Sequence, residues 1–69
     1  FVAVQLSGLQ NEDVQLTLID INGKIIQTDK ILQGSTINYF DTRKLYDGFY
    51  FIKITSNNFS SIEKITIRH

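Results

Sequence analysis

The chain has 69 residues, seven basic and seven acidic side chains, one histidine, no cysteine, no proline and 42 % hydrophobic residues. That length bounds it to one domain, of a size that buries only about 60 % of the surface its unfolded chain exposes, and without cysteine no disulfide or thiolate chemistry contributes. Zero net charge, with both signs spread along the chain, excludes the basic stripe of a nucleic-acid footprint and a polybasic membrane patch, and no apolar run approaches the length of a bilayer span.

Isoleucine, valine, threonine and aromatic residues dominate, types that suit a pleated, half-buried surface. A first strand is predicted over Phe1–Leu6 and a polar loop over Ser7–Asp13. Val14–Ile21 alternates, with Val14, Leu16 and Leu18 on one face and Gln15 and Thr17 on the other. Asn22-Gly23 follows, the strongest short-range hairpin signal; a type I′ turn needs positive φ at both central residues, and positive φ is expected at one or both of these two. Lys24–Leu32 returns as the partner strand, and Gln33-Gly34-Ser35 turns the chain into a short strand, Thr36–Phe40. Asp41–Gly48 reads as an irregular crossover. Phe49–Thr55 is the clearest strand, with Tyr50, Ile52 and Ile54 on one face and Phe49, Phe51 and Lys53 on the other. Ser56-Asn57-Asn58 turns into a last strand, Ser60–Ile67. Six short strands with turn signals between them predict an all-β sandwich or barrel rather than βαβ units. The expected core is Val14, Leu16, Leu18, Leu45, Tyr50, Ile52 and Ile54.

Chemistry is sparse. The carboxylates Glu12, Asp13, Asp20, Asp29, Asp41, Asp47 and Glu63 fall mostly in turns or on exposed strand faces, where they do not form the paired acid and base of a hydrolase. The single histidine is His69, which cannot seed a metal site or a triad without further ligands or a base. Gly8, Gly23, Gly34 and Gly48 are too far apart for a phosphate-cradling loop. No catalytic residue, cofactor or metal is expected. The aromatic group Tyr46, Phe49, Tyr50 and Phe51 admits a sugar-stacking reading, but strand alternation splits it, with Tyr50 in the core and Phe49 and Phe51 outside. Leu45-Tyr46-Asp47-Gly48-Phe49-Tyr50 follows the logic of the tyrosine corner: leucine plugs the core, glycine permits a tight turn into the strand, and the tyrosine hydroxyl bonds the backbone. It selects an immunoglobulin-like antiparallel β-sandwich of six or seven strands.

These motifs, in this order, resemble the C-terminal sorting domain of the type IX (Por) secretion system of Bacteroidota. The family pattern has a strand ending in Asp-x-x-Gly-Lys, here Asp20 to Gly23 and Lys24. A glycine turn follows, here Gly34. Next comes the crossover Asp-x-x-x-Leu-x-x-Gly-x-Tyr, here Asp41, Leu45, Gly48 and Tyr50. The final strand carries Lys-x-x-x-basic, here Lys64 and Arg68. The likeness covers essentially all 69 residues. Two features depart from it. The Pro-Asn-Pro segment usual before the first strand is missing, and Arg68-His69 replaces the usual terminal lysine. The chain starts at Phe1 without methionine, which predicts a single sorting domain (residues 1–69) cut from a longer protein and lacking its first few residues.

The resemblance implies a non-catalytic secretion signal. It would direct an N-terminal cargo domain across the outer membrane through the type IX machinery, with its shuttle and sortase components. The cargo would be in the periplasm in transit and then at the cell surface or secreted, and the domain is commonly cleaved off after translocation. Recognition is expected on the final strand. Lys64 and Arg68 share one face with Thr66 between them, while Ile65 and Ile67 point the opposite way, into the core. The other reading is an immunoglobulin-like accessory or carbohydrate-binding module of a secreted enzyme, using Phe49, Phe51 or Phe59. Unpaired sheet edges also predict edge-strand self-association.

Overall fold

Alternation of apolar and polar residues at period two gives six strands in a computed structural model that describes residues 1–6, 12–57 and 59–69. They are β1 (Val2–Gln5), β2 (Val14–Asp20), β3 (Ile25–Ile31), β4 (Ile37–Phe40), β5 (Gly48–Thr55) and β6 (Ser60–Ile67). All pairings are antiparallel. One sheet has the order β3-β2-β5-β6 and the other is the pair β1-β4. The two layers close over a core of Val4, Val14, Leu16, Leu18, Ile31, Phe40, Tyr50, Ile52, Ile54 and Ile67. The fold is the expected all-β, two-layer antiparallel sandwich, with six strands among the described residues. Residues 7–11 of the predicted first loop, Gly8 included, and Asn58 of the last turn lie outside the described residues.

Six of the seven expected core residues are buried. Leu45 is not: it is half-buried, packed against the margin of the core, because the crossover passes over the end of the sandwich rather than through it. Phe40 and Ile31 instead lie among the most deeply buried side chains.

The hairpin between β2 and β3 has the expected positive φ at Gly23 but not at Asn22, so it is not a type I′ turn. Gly23 has φ +85°, and among the described residues no other residue type has positive φ. The Gly23 amide donates to the Asp20 carbonyl (3.0 Å), and the Asp20 amide donates to the Lys24 carbonyl (3.0 Å). Ile21, Asn22 and Gly23 therefore form a three-residue loop, a turn closed by a left-handed glycine. The side chain of Asp20 explains the preference. Its Oδ1 accepts the amides of Asn22 (2.8 Å) and Lys24 (2.9 Å), holding Asn22 out of the left-handed region. The register then slips: Ile19 faces Ile25, Leu18 faces Gln27, and Ile26 is the extra residue of a bulge.

Side-chain bonds tie the loops together. Glu12 accepts the Asn57 amide (3.1 Å) and Asn57 Nδ2 (2.8 Å), joining the approach to β2 to the β5–β6 turn. Asn38 Nδ2 donates to Asp29 Oδ2 (3.0 Å) and Gln27 Nε2 to the Asp41 carbonyl (2.8 Å), so β4 is laced to β3.

Candidate functional site

The residues singled out from the sequence fall into two groups, one that shapes turns and one that lies on the final strand. In the first, Asp20 and Gly23 build the β2–β3 loop, and the Lys24 amide completes it while its side chain stays exposed. Gly34 has φ +87° at the third position of a turn closed by the Ser35 amide donating to the Leu32 carbonyl (2.9 Å). That conformation is the one a type II turn demands.

Asp41 opens the crossover by folding Arg43 back on itself. Asp41 Oδ1 accepts the Arg43 amide (3.1 Å) and Nε (3.0 Å), and Oδ2 accepts a terminal guanidinium nitrogen (2.8 Å). These guanidinium bonds, then the backbone amide, hold the Asp41 carboxyl well below the usual carboxylate range. The same guanidinium lies 5.0 Å from the Phe1 ring centroid, fastening the start of the chain to the crossover. Thr42 is buried, and its carbonyl accepts the Leu45 amide (3.1 Å).

The corner follows. The Tyr50 hydroxyl donates to the Tyr46 carbonyl at 2.8 Å, as the sequence logic requires, while the Tyr46 ring stands almost fully exposed. Gly48, at φ +147°, starts β5 in a conformation that residues with a Cβ rarely adopt.

The second group is β6. It pairs with β5 so that Ile67 faces Gly48, Ile65 faces Tyr50, Lys64 faces Phe51 and Ile62 faces Lys53. Ile67 is buried, Ile65 is half-buried and Lys64, Thr66 and Arg68 are exposed. Lys64 Nζ sits 4.1 Å from the Phe49 ring centroid, so the lysine stem covers part of the aromatic surface on the outer face.

Beyond the strand, His69 is tied to the crossover, a placement the sequence reading did not anticipate. Its amide donates to Asp47 Oδ1 (3.1 Å), and its Nε2 lies 2.7 Å from the Leu45 carbonyl. A carbonyl only accepts, so Nε2 carries the proton. No local pattern links Asp47 to His69, 22 positions apart, and only the closed corner brings them together.

The three phenylalanines do not form one platform. Phe49 and Phe51 lie on the outer face of β5, whereas Phe59 lines the opposite, inner side with Ile52 and Ile54. Among the described residues, no group of three or more metal-ligating side chains gathers.

The family model described as "Secretion system C-terminal sorting domain" matches residues 1–68, nearly the whole chain. The chain belongs to the C-terminal sorting domains of the type IX secretion system. No curated protein and no solved structure matches it. A sorting domain of this family is a secretion signal, a non-catalytic role, and it implies interaction with the type IX machinery and export across the outer membrane to the cell surface or the medium. In this sorting domain Asp20, Gly23, Gly34, Asp41, Gly48 and Tyr50, positions singled out from the sequence, act on backbone geometry, through caps, left-handed turns and one part-buried hydroxyl.

Proposed function

We propose that the machinery reads this sorting domain through its final strand, and that the domain performs no chemistry of its own. Residues 1–69 act as one unit, joined to an N-terminal cargo domain. The readers are the shuttle and sortase components at the outer membrane, met from the periplasm before the cargo reaches the surface or is released. The observation that carries the sorting role is the family match across residues 1–68, tail included.

Two features support the choice of strand. Lys64 and Arg68 are exposed cations with Thr66 between them, and charged groups on a rim give specificity and steer encounter. Ile67 is buried and Ile65 half-buried, so the isoleucines act by fixing the strand that presents the cations. Beyond them, the His69 amide donates to Asp47 Oδ1 and ties the residues after β6 to the crossover.

The test is a reporter fused ahead of this domain in a host that carries the type IX machinery. Lys64→Ala with Arg68→Ala should leave the reporter in the periplasm while circular dichroism shows a folded domain. Export of the double variant at the wild-type level would remove the two cations from the recognition surface.

A further inference from the structure

The two sheets are unequal, four strands against two, and the mismatch leaves a groove. β4 lies against β3, and β1 lies beside Ile52 and Ile54 of β5, so the inner side of β6 is covered at Ile67 but open from Ser61 to Ile65. The result is an open cavity of about 440 Å³. Its floor is Ile52, Ile54 and Ile65, its wall is β1, and Glu63 and Phe59 also line it.

β1 pairs only with β4, so its other edge is unpaired among the described residues. The ladder phase says which groups it offers. The Leu6 amide donates to the Thr36 carbonyl (2.7 Å), across from it in the β1–β4 register. In an antiparallel pair, hydrogen-bonded positions alternate. Val2, Val4 and Leu6 therefore turn their amides and carbonyls to β4, while Ala3 and Gln5 turn theirs to the groove. Burial agrees: Val4 is buried, Val2 and Leu6 half-buried, Ala3 and Gln5 exposed.

We infer that this groove takes an extended segment of a partner protein as an added strand beside β1, one with alternating apolar residues and a lysine or arginine among its inward side chains. The backbone of Ala3 and Gln5 supplies the hydrogen bonds, and the floor supplies apolar contact for every second side chain. Glu63 sets the chemistry. It lies on the inner face of β6, holds a 3.4 Å hydrogen bond from the Ser61 hydroxyl, and has no cationic partner among the described residues. An all-apolar strand would desolvate that carboxylate without compensation, and a strand with a cation there compensates it, so the groove discriminates by penalty as well as by attraction. A second copy of this chain pairing through its own β1 does not fit, since its four-stranded sheet would come into the space β6 occupies.

This inner groove lies on the face opposite Lys64, and its test does not read export, so it stands or falls apart from the recognition proposed above. The probe is a capped synthetic peptide of about seven residues, within the usual strand range, alternating threonine with valine and carrying one inward lysine. It is titrated into the isotope-labelled full chain and followed by amide NMR shifts. Saturable shifts are expected at Ala3, Gln5 and Ile65. Glu63→Lys should weaken the lysine peptide by about tenfold and make its glutamate counterpart the better ligand. A peptide N-methylated on the amides that face β1 should not bind. The inference is overturned if no shifts occur at millimolar peptide, if they map to β3 or to the outer face, or if neither Glu63→Lys nor N-methylation changes the affinity.

Discussion

Asp20 and Gly23 show how much of one turn a few atoms decide. Both amides capped by Asp20 would otherwise face solvent, and Gly23 takes the one left-handed position in the loop. A Cβ at Gly23 would meet no atom within 4 Å, so the cost of a side chain there is conformational, not steric crowding. Gly23→Val should therefore destabilise the domain by about 1–2 kcal/mol, read as a lowered midpoint in urea. An unchanged midpoint would place the strain elsewhere. Tyr50→Phe removes one part-buried hydrogen bond and keeps the ring, so it should cost about 1 kcal/mol by the same measurement. Asp41 gives a pH signature. Its folded-state carboxyl is depressed by Arg43, first through the guanidinium bonds and then through the backbone amide. A depressed acid stabilises the fold above its unfolded value, and that stabilisation is lost as pH falls toward the folded value. The melting temperature of wild type should drop more steeply than that of Asp41→Asn below about pH 4, where an ordinary aspartate begins to protonate. Asp29 works in the same direction through the Lys30 amide and the Asn38 side chain, so Asp41→Asn should flatten the acid limb without abolishing it. Parallel limbs in the two proteins would show that the Arg43 contact does not persist in solution.

At the level of the strand, the final element combines an anchor and an exposed row. Ile67 fills the core opposite Gly48, where the partner strand has no side chain, so Ile67→Ala leaves a cavity and should cost about 2–5 kcal/mol in denaturant unfolding. Lys64→Ala loses one exposed contact with Phe49 and should cost less than about 1 kcal/mol. The contrast decides which export experiment is interpretable: removing residues 65–69 takes away a core side chain, while replacing the two cations does not. An Ile67→Ala cost near zero would mean that β6 is not held by the core. The alternation in β2 and β5 was legible because each strand has one face on the core and paired neighbours on both sides, so period two maps directly onto burial. Edge elements were harder. Ile65 reads as core from its parity, yet it is half-buried because the smaller sheet does not reach over it. Leu45 reads as core from its motif but packs at the margin. The bulge at Ile26 left no trace, since Ile25 and Ile26 are both apolar and either could face inward. The corner was readable because one local segment contains both the donor Tyr50 and the acceptor Tyr46, whereas the contacts of His69 depend on closure of the whole chain.

The molecule as a whole has unequal edges, and these bear on how isolated copies of it behave. The outer edges of the larger sheet are β3 and β6. β3 is laced to β4 by Asn38 and Gln27 and carries exposed Asp29 and Lys30, features that guard an edge. β6 has no such neighbour among the described residues, and Ile62 stands 61 % exposed on its outer face. Charge then restricts how two copies can pair antiparallel about a twofold axis. Centring the axis on Glu63 or on Lys64 sets like charges directly opposite, which is destabilising. Centring it on Ile62 brings two isoleucines together, sets Glu63 opposite Ser61 of the second copy and sets Lys64 opposite Ser60. Cross-strand pairs of this kind contribute only about 0.2–1 kcal/mol each, so the association is weak and belongs at high concentration. Light scattering should show a mass that rises toward a dimer as the domain approaches millimolar concentration. Ile62→Lys, which puts like charges on the axis, should hold it at the monomer mass with an unchanged unfolding midpoint. A wild-type domain that stays monomeric at millimolar concentration would show that the free edge of β6 does not pair with itself, and the same mass for wild type and Ile62→Lys above the monomer value would move the contact to another edge.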